Sequence, residues 1–311
     1  MEASSSKWAG DVPVLGKLPP EQAAAKLREV GEEEAAEALE RATQEQRPAE
    51  TFGPFGLRWP FDRPWQYTSH VFGYLAPSPP GNEMVPIKEA GNIAADDTLK
   101  NSRLKITLNR LRVADYPGGG THRVLFDFYA QNQVANDIEH LHFDTTFRVR
   151  EGQQAAVVGY PIFVGLNVGS EGLAFKCLTV NVRNDEDESF LKFLESDVFQ
   201  AGLKLASTAQ PAIAPLSGMA LALTKSVAAR NRNVAVQEFH LGLDFSDTPM
   251  GARLAKGAYL AVQVPESFEA MWDWEEWAYD PTSGRVVSWE NPAHVIEYNY
   301  LVFGVDTYEG P

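Results

Sequence analysis

Apolar and polar residues alternate along much of the chain after residue 103. Leu104, Ile106 and Leu108 are each followed by a polar residue, and the same period of two recurs over 124–128 and 235–245. Successive side chains of a strand point to opposite faces of a sheet, so this period predicts strands with one buried face. Eight or more such strands predict a mostly β protein built as an antiparallel β-sandwich. Further predicted strands, many bounded by Gly, Pro, Asn or Asp, lie at 143–149, 155–168, 173–182, 258–264, 285–289 and 298–305.

A helical period precedes the strands and predicts an N-terminal helical arm at 1–46. Gly31 divides its Ala- and Glu-rich part into two segments that each carry apolar residues at helical spacing. Pro19 and Pro20 suit the first turn of a helix, so we predict a short helical hairpin. Two interpretations remain: a solvated arm packed on the main domain, or an adaptor that docks another protein. We expect the arm to be separable from the rest of the chain.

Prolines and aromatic residues set apart a predicted connector at 47–102. Over 47–80 the prolines disfavour both long helices and central strands. Aromatic side chains are costly to leave in water, so we expect the connector to lie in a groove of the main domain. The main β-sandwich domain then spans 103–311, with helical insertions near 188–231, at 188–205 and 212–231. The aromatic residues that we expect to anchor the connector in this groove are Phe52, Phe55, Trp59, Phe61 and Trp65.

The charge of the chain narrows the classes of partner. Lys and Arg number 27 against 42 Asp and Glu, which gives a formal net charge of −15. A field of this sign repels phosphate backbones and anionic lipid headgroups, so we expect no nucleic-acid partner and do not favour a membrane. Membrane binding stays an alternative because a bound divalent cation reverses the local field. The sequence leaves the oligomeric state open.

The single cysteine and the absence of targeting patterns bear on the compartment. Cys177 has no second cysteine with which to form an internal disulfide, and its apolar strand predicts a core residue rather than a nucleophile. The first residues lack the basic-then-apolar pattern of a signal peptide. No stretch reaches the roughly 20 strongly apolar residues that cross a bilayer. We therefore expect a cytoplasmic protein.

Three segments between residues 103 and 200 resemble the C2 family of β-sandwiches. They are RLKITLNRLRVAD and HRVLFDFYAQN, separated by a Gly-rich turn, and LAFKCLTVNVRNDEDESFLKFL. The resemblance implies a C2-like sandwich, with a jelly-roll as the alternative architecture. It implies that Asp115 lies in the first apical loop, that Asp185 and Asp187 lie in a later one, and that calcium binds between the loops. C2 domains commonly bind membranes or proteins there, which implies a binding module.

The acidic run at 184–189 has two interpretations. Asp185, Glu186, Asp187 and Glu188 crowd four carboxylates together, which would repel one another unless a hard cation such as calcium shared their oxygens. The same acids also precede a predicted helix, where Asp and Glu stabilise the first turn. We prefer the helix cap, so no cofactor is assured, and we keep a calcium site as the alternative.

A second candidate metal site lies in a predicted strand. Alternation places His140, His142 and Asp144 on one face, with Leu141 and Phe143 on the other. Two imidazoles at this spacing can approach one zinc or iron ion, and a carboxylate can complete the set. We prefer a solvated strand face, and keep a metal-dependent enzyme as the alternative.

The last candidate site is a cluster of tryptophans. Trp272, Trp274 and Trp277 stand among acidic residues, a composition that favours protein contact when exposed and a lid on the core when buried. We prefer burial and keep a recognition surface as the alternative.

For the whole chain, we expect a non-catalytic binding module that recognises a protein through sandwich loops or through the helical arm. A metal-dependent enzyme and a calcium-dependent, membrane-binding C2-like domain are the alternatives.

Overall fold

The computed structural model of the chain describes residues 8–44, 63–77, 81, 83–134, 137–184, 187, 192, 213–246 and 251–310. Within them the α-helices are α1 Pro20–Glu29, α2 Glu33–Gln44, α3 Ile213–Ala228 and α4 Glu266–Glu269. The strands are β1 Ser69–Leu75, β2 Val85–Pro86, β3 Lys88–Glu89, β4 Arg103–Val113, β5 Thr121–Val134, β6 Asp137–Arg150, β7 Gln153–Gln154, β8 Tyr160–Asn167, β9 Gly172–Asn181, β10 Val234–Asp244, β11 Ala252–Arg253, β12 Gly257–Val264, β13 Trp277–Asp280, β14 Arg285–Ser288 and β15 Tyr300–Thr307.

Two large sheets form the body of the protein. The first has the order β3-β1-β12-β15-β4-β7, with β8 also paired to β4, and the second has the order β11-β10-β9-β5-β6. A small third sheet has the order β14-β13-β2. Apart from the short β10–β11 pair, the strand pairs of the described residues are antiparallel. The mostly β, antiparallel class predicted from the alternation is confirmed, and each strand predicted after residue 103 overlaps an observed one.

Aromatic side chains fill the space between the two large sheets. The ring of Phe303 on β15 lies 5.5 Å from that of Phe128 on β5 and 5.7 Å from that of Phe175 on β9. Phe72 on β1 likewise contacts Phe239 on β10 at 5.8 Å. These contacts join strands of different sheets, so the apolar face that each alternating sequence provides is buried against the other sheet.

The predicted helical hairpin is confirmed, but its packing differs from our expectation. Gly31 lies between α1 and α2 with a φ of 85°, a conformation that glycine adopts without steric cost. Leu27 and the other apolar residues of the arm belong to the same buried cluster as the sandwich core, which argues against a separable arm. The buried residues from this region are Trp8, Ala9, Val14, Leu15, Ala23, Ala24, Leu27, Val30, Ala35, Ala36 and Leu39.

Polar contacts also fasten the arm to the sandwich. The Lys17 ammonium lies 2.9 Å from the carboxylate of Glu238 on β10. The carboxylate of Glu29 accepts a hydrogen bond of 2.8 Å from the backbone N–H of Arg232. That of Glu32 accepts one of 2.8 Å from Gly118, in the Gly-rich turn before β5. The arm therefore contacts both a strand face and two connections of the main domain.

The predicted connector contains a strand that the sequence analysis excluded. Strand β1 lies within 47–80 and pairs with both β12 and β3, so it is an interior strand of the first sheet. The expectation that prolines prevent a central strand here was wrong, because residues 65–76 contain no proline and supply an uninterrupted run. Trp65 is fully buried, as expected for a packed connector. The other aromatic residues of that prediction, Phe52, Phe55, Trp59 and Phe61, lie outside the described residues.

One of the two predicted helical insertions can be compared with the structure. Helix α3 confirms the insertion predicted at 212–231. The other, at 188–205, lies outside the described residues except for Lys192. Each helix in the described part of the chain is too short or too polar to pass through a bilayer.

Candidate functional site

The predicted metal-binding strand is β6, an edge strand of the five-stranded sheet. In its register with β5, His142 lies opposite Tyr129 and Asp144 lies opposite Asp127. Phe143 pairs with Phe128 of the inter-sheet core, so His142 and Asp144 share the other face, as the alternation predicts. That face is not solvated. His142 is 2% exposed and Asp144 is fully buried, which corrects the preferred interpretation.

An N-terminal residue and helix α3 cover this face. The indole of Trp8 stacks on His142, with ring centroids 5.7 Å apart and an interplanar angle of 12°. Trp8 also contacts the ring of Tyr129 at 5.7 Å. From α3, the Ser217 hydroxyl accepts a hydrogen bond from the His142 N–H and donates one to the His140 carbonyl, both of 2.8 Å. The helix therefore satisfies two of the backbone groups on the free edge of β6.

Beneath this cover lies a carboxyl–imidazole cluster that we define as Asp127, His142 and Asp144. His142 Nδ1 lies 3.0 Å from Asp127 Oδ1. The Thr224 hydroxyl of α3 donates a 2.8 Å hydrogen bond to Asp144 Oδ2. The remaining oxygens, Asp127 Oδ2 and Asp144 Oδ1, receive no hydrogen bond from a donor in the described residues. A proton on Asp144 lets the two carboxyl groups hydrogen-bond to each other.

Electrostatics favour that proton. Burial and the neighbouring charge of Asp127 raise the pKa of Asp144 well above its ordinary value, and the hydrogen bond from Thr224 lowers it by less. Two carboxylates side by side in a buried site cannot both ionise without a large repulsive cost. Asp144 therefore holds a proton in the folded protein, and the burial of the cluster separates it from any substrate in solvent.

The structure gives the metal hypothesis no support. His140 is engaged with the Tyr129 hydroxyl, whose oxygen lies 2.5 Å from His140 Nδ1. Among the residues that the structure describes, no three His, Cys, Asp or Glu side chains are grouped so as to hold a metal ion. Cys177 lies buried in β9, and burial raises the pKa of its thiol well above the ordinary value, in keeping with the predicted core role.

We expect Asp144→Asn to raise stability increasingly with pH. The folded-state pKa of Asp144 lies above its unfolded value, so the native carboxyl holds a proton that the unfolded chain has lost. Stability therefore falls as pH rises from the unfolded pKa through the raised folded pKa, by up to about 1.4 kcal/mol per pH unit. Asn retains the shape, accepts from Thr224 and donates to Asp127 without titrating. Urea denaturation at several pH values between 5 and 9 measures the difference.

The exposed Asp306→Asn serves as the control for this prediction, since Asp306 lies at the solvent-facing end of β15. Its stability difference from the wild type should stay flat across the same pH range. A pH-independent difference for Asp144→Asn would show that Asp144 is ionised in the folded protein and would contradict the proton on Asp144.

The residues predicted for calcium lie in separate ion pairs with arginine. Asp115 is held by Arg63 through two contacts, Nε with Oδ2 and Nη2 with Oδ1, the latter of 2.7 Å. Asp187 is fully buried, with Arg230 Nη1 2.5 Å from Oδ1 and Asn233 Nδ2 donating to Oδ2 at 2.7 Å. Guanidinium groups therefore neutralise both carboxylates where the calcium hypothesis places a cation. Asp185 lies outside the described residues.

The predicted tryptophan cluster forms a partly buried stack. Trp274 is buried, with 6% of its surface exposed, whereas Trp272 and Trp277 are half-buried. The rings of Trp272 and Trp277 stack at 6.0 Å with an interplanar angle of 9°, and Trp274 meets Trp272 edge-on at 5.4 Å. The stack belongs to a second apolar cluster, which lies around the small sheet and β12. Burial therefore holds for Trp274, and the other two indoles keep part of their surface in solvent.

Exposed apolar side chains and carboxylates accompany this stack in the connection between β12 and β15. Phe268, Met271 and Trp289 are 46%, 68% and 38% exposed, and they are half of the six large exposed hydrophobic residues in the described chain. We call residues 265–298 the aromatic–acidic surface. Arg285 is its one Lys or Arg residue. Its acidic residues, none of which pairs with a Lys or Arg in the described chain, are Glu266, Glu269, Asp273, Glu275, Glu276, Asp280, Glu290 and Glu297.

Fold and sites together define a mostly β protein with a closed polar cluster and an open aromatic–acidic surface. No family model, curated protein or solved structure matches the chain.

The sequence analysis missed residues at both sites. Asp127 was visible as an acid within the apolar run VLFDFYA, but its partner depends on the register of two strands. At the aromatic–acidic surface, the prediction named the three closely spaced tryptophans at 272–277 and did not include Phe268, Met271 or Trp289. Exposure distinguishes these residues, and composition carries no direct signal of exposure.

Proposed function

We propose that the protein is a non-catalytic, cytoplasmic binding module that recognises a protein partner through the aromatic–acidic surface. The observation that carries this proposal is the concentration of exposed apolar side chains among acidic residues in one connection of the sandwich. Grouped exposed apolar residues with a polar rim are typical of protein interaction sites.

The apolar part of the surface can supply the binding energy. Phe268, Met271 and Trp289 lose apolar area to a partner, at roughly 25 cal/mol per Å² removed from water. Trp272 and Trp277 lie stacked beside them and limit the number of conformations that the surface adopts. A rigid aromatic surface loses little entropy on binding, so such residues are frequent energetic centres of interfaces.

The charge of the surface selects the partner. Eight carboxylates against Arg285 produce a strongly negative potential, which attracts a segment rich in Lys and Arg and accelerates its approach. Apolar residues must accompany those cations, because the rim charges alone contribute little affinity. The favoured partner is therefore a protein with a basic, amphipathic segment.

The other functions considered from the sequence receive less support. The helical arm buries its apolar residues within the sandwich, which leaves less apolar surface for an adaptor role. His140, His142 and Asp144 are engaged with Tyr129, Asp127 and Thr224 respectively. Asp115 and Asp187 are paired with arginines, which weakens the case for a calcium-dependent membrane binder. The C2 resemblance itself stays a prediction.

We expect a triple variant, Phe268→Ala, Met271→Ala and Trp289→Ala, to lose the partner. The immobilised wild type, the triple variant and a control would be incubated with extract of the native host. Retained proteins would be quantified by mass spectrometry. Because central interface residues cost about 2 kcal/mol or more when truncated, retention of the true partner should fall at least about tenfold.

The matched control is Ile138→Ala with Val158→Ala, since these residues are 42% and 77% exposed but lie outside the aromatic–acidic surface. The control should retain the partner as the wild type does, and retention should decrease as salt screens the carboxylates. Equal loss in the control and the triple variant would indicate nonspecific hydrophobic adhesion and overturn the proposal.

A further inference from the structure

A basic cleft lies on a different part of this acidic protein. It has a volume of about 340 Å³, and it lies where β5, β6 and the ends of β9 and the α3–β10 connection meet. No Phe, Tyr or Trp lines it within the described residues. Its lining residues are Thr121, His122, Arg123, Arg148, Val182, Arg183, Asn184 and Arg232.

Two of the arginines face each other across a strand pair. Arg123 on β5 and Arg148 on β6 are direct register partners. Like charges at such positions repel each other and reduce stability, so an anion bound between them would relieve the repulsion. Neither guanidinium pairs with a carboxylate in the described part of the chain. An unneutralised arginine pair is the first indication of an anion site.

The third arginine is held in place by the Gly-rich turn before β5. Arg183 Nη1 donates hydrogen bonds to the carbonyls of Gly118 and Gly119, at 2.7 and 3.2 Å. Gly118 has a φ of 93°, and a Cβ there would lie 2.5 Å from Arg183 Nη1, so the close approach requires glycine. These carbonyl contacts orient the guanidinium, and no carboxylate of the described residues forms an ion pair with it.

His122 also lines this cleft and is buried, with 1% of its surface exposed. Burial and the positive charge of Arg183 lower the pKa of its imidazole, and a hydrogen bond with Asn181 opposes this shift. The positive charge of Arg183 therefore acts on the buried wall of the cleft.

We propose that this cleft binds a compact phosphorylated small molecule. Guanidinium groups match the geometry of phosphate oxygens and bind them through two parallel hydrogen bonds. The volume is at the lower end of the range for small-molecule sites, and the lack of aromatic lining offers no surface on which a nucleobase could stack. The chemistry fits inorganic pyrophosphate or a sugar phosphate.

Calorimetric titration of the full chain tests this proposal, with inorganic pyrophosphate and glucose 6-phosphate as separate probes. We expect one site per chain for at least one probe. Arg123→Gln and Arg148→Gln should each weaken binding at least about tenfold, because a hydrogen bond to a charged group contributes at least about that factor. The two probes distinguish a free phosphate source from an organic one.

Arg150→Gln provides the matched control. Arg150 is exposed on the same strand as Arg148 and lies opposite Thr121, but it does not line the cleft, so its variant should weaken binding clearly less than Arg123→Gln or Arg148→Gln. Thermal unfolding would verify that each variant is folded. The absence of binding at millimolar probe would overturn the proposal. So would equal weakening by Arg150→Gln, or binding of a phosphoserine peptide alone.

Discussion

Removal of residues 1–46 is expected to abolish cooperative folding. The arm contributes Trp8, Leu15, Leu27 and Leu39 to the same buried cluster as the sandwich. Each fully buried side chain of this size contributes about 1.5–3 kcal/mol, and a whole domain is stable by only about 5–15 kcal/mol. The truncated chain would also expose the sandwich surface beneath the arm. Circular dichroism during urea denaturation should show no sharp transition.

A point variant measures the same contribution without truncation. Leu27 is fully buried in α1, so Leu27→Ala should cost about 2–5 kcal/mol. The matched control is Glu37→Ala, at an exposed position of α2, which should change stability by less than about 0.5 kcal/mol. A truncated chain that unfolds at the wild-type urea midpoint would contradict the integral role of the arm and restore the separable arm expected from the sequence.

The second large effect is expected at the centre of the sandwich. Phe303 is 1% exposed and contacts Phe128 and Phe175 of the opposite sheet and Tyr259 of its own, the last at 5.7 Å. Phe303→Ala removes the ring that joins the two sheets and leaves a cavity that the surrounding strands cannot fill. The expected loss is about 3–5 kcal/mol, measured by urea denaturation.

Two comparisons make this prediction specific. Phe303→Leu preserves most of the volume and should cost less than about 1.5 kcal/mol. Phe268→Ala removes the same side chain from the exposed aromatic–acidic surface and should change the free energy of unfolding by less than about 0.5 kcal/mol. Similar losses for Phe303→Ala and Phe268→Ala would contradict the placement of the core between the two large sheets.

The strands after residue 103 could be predicted because their burial is one-sided. In β4, buried Leu104, Ile106 and Leu108 alternate with less buried residues, so the period of two survives in the sequence. Strand β1 is a short proline-free run between proline-rich segments, and those segments led to the wrong prediction that no central strand lies there. Its central position follows from pairing with β12, which is almost 190 residues away along the chain.

The candidate sites depended on contacts that composition does not reveal. Alternation correctly placed His142 and Asp144 on one face of β6, but the cover over that face comes from Trp8 and from α3. The pairing of Asp127 with Asp144 follows from the register of two neighbouring strands. Long-range packing therefore decided whether polar residues on a strand became a solvent-facing surface or a closed cluster.

The aromatic–acidic surface could be predicted in part. Composition identified the segment that contains Trp272, Trp274 and Trp277, but the exposed apolar groups are its neighbours Phe268 and Met271, and Trp289 after β14. Their exposure follows from the way in which the tryptophans pack on the second apolar cluster. The three tryptophans therefore pack partly into the protein and form the base of the surface. Phe268, Met271 and Trp289 remain exposed and are available for contact with a partner.

Calorimetric titration of the captured partner, once purified, tests the central claim most directly. The wild type should bind with an affinity that weakens as salt rises, because the carboxylates attract a basic segment. The variant Phe268→Ala, Met271→Ala, Trp289→Ala should bind at least about tenfold more weakly, and Ile138→Ala with Val158→Ala should match the wild type. Equal affinity of the triple variant and the wild type would contradict recognition through the aromatic–acidic surface.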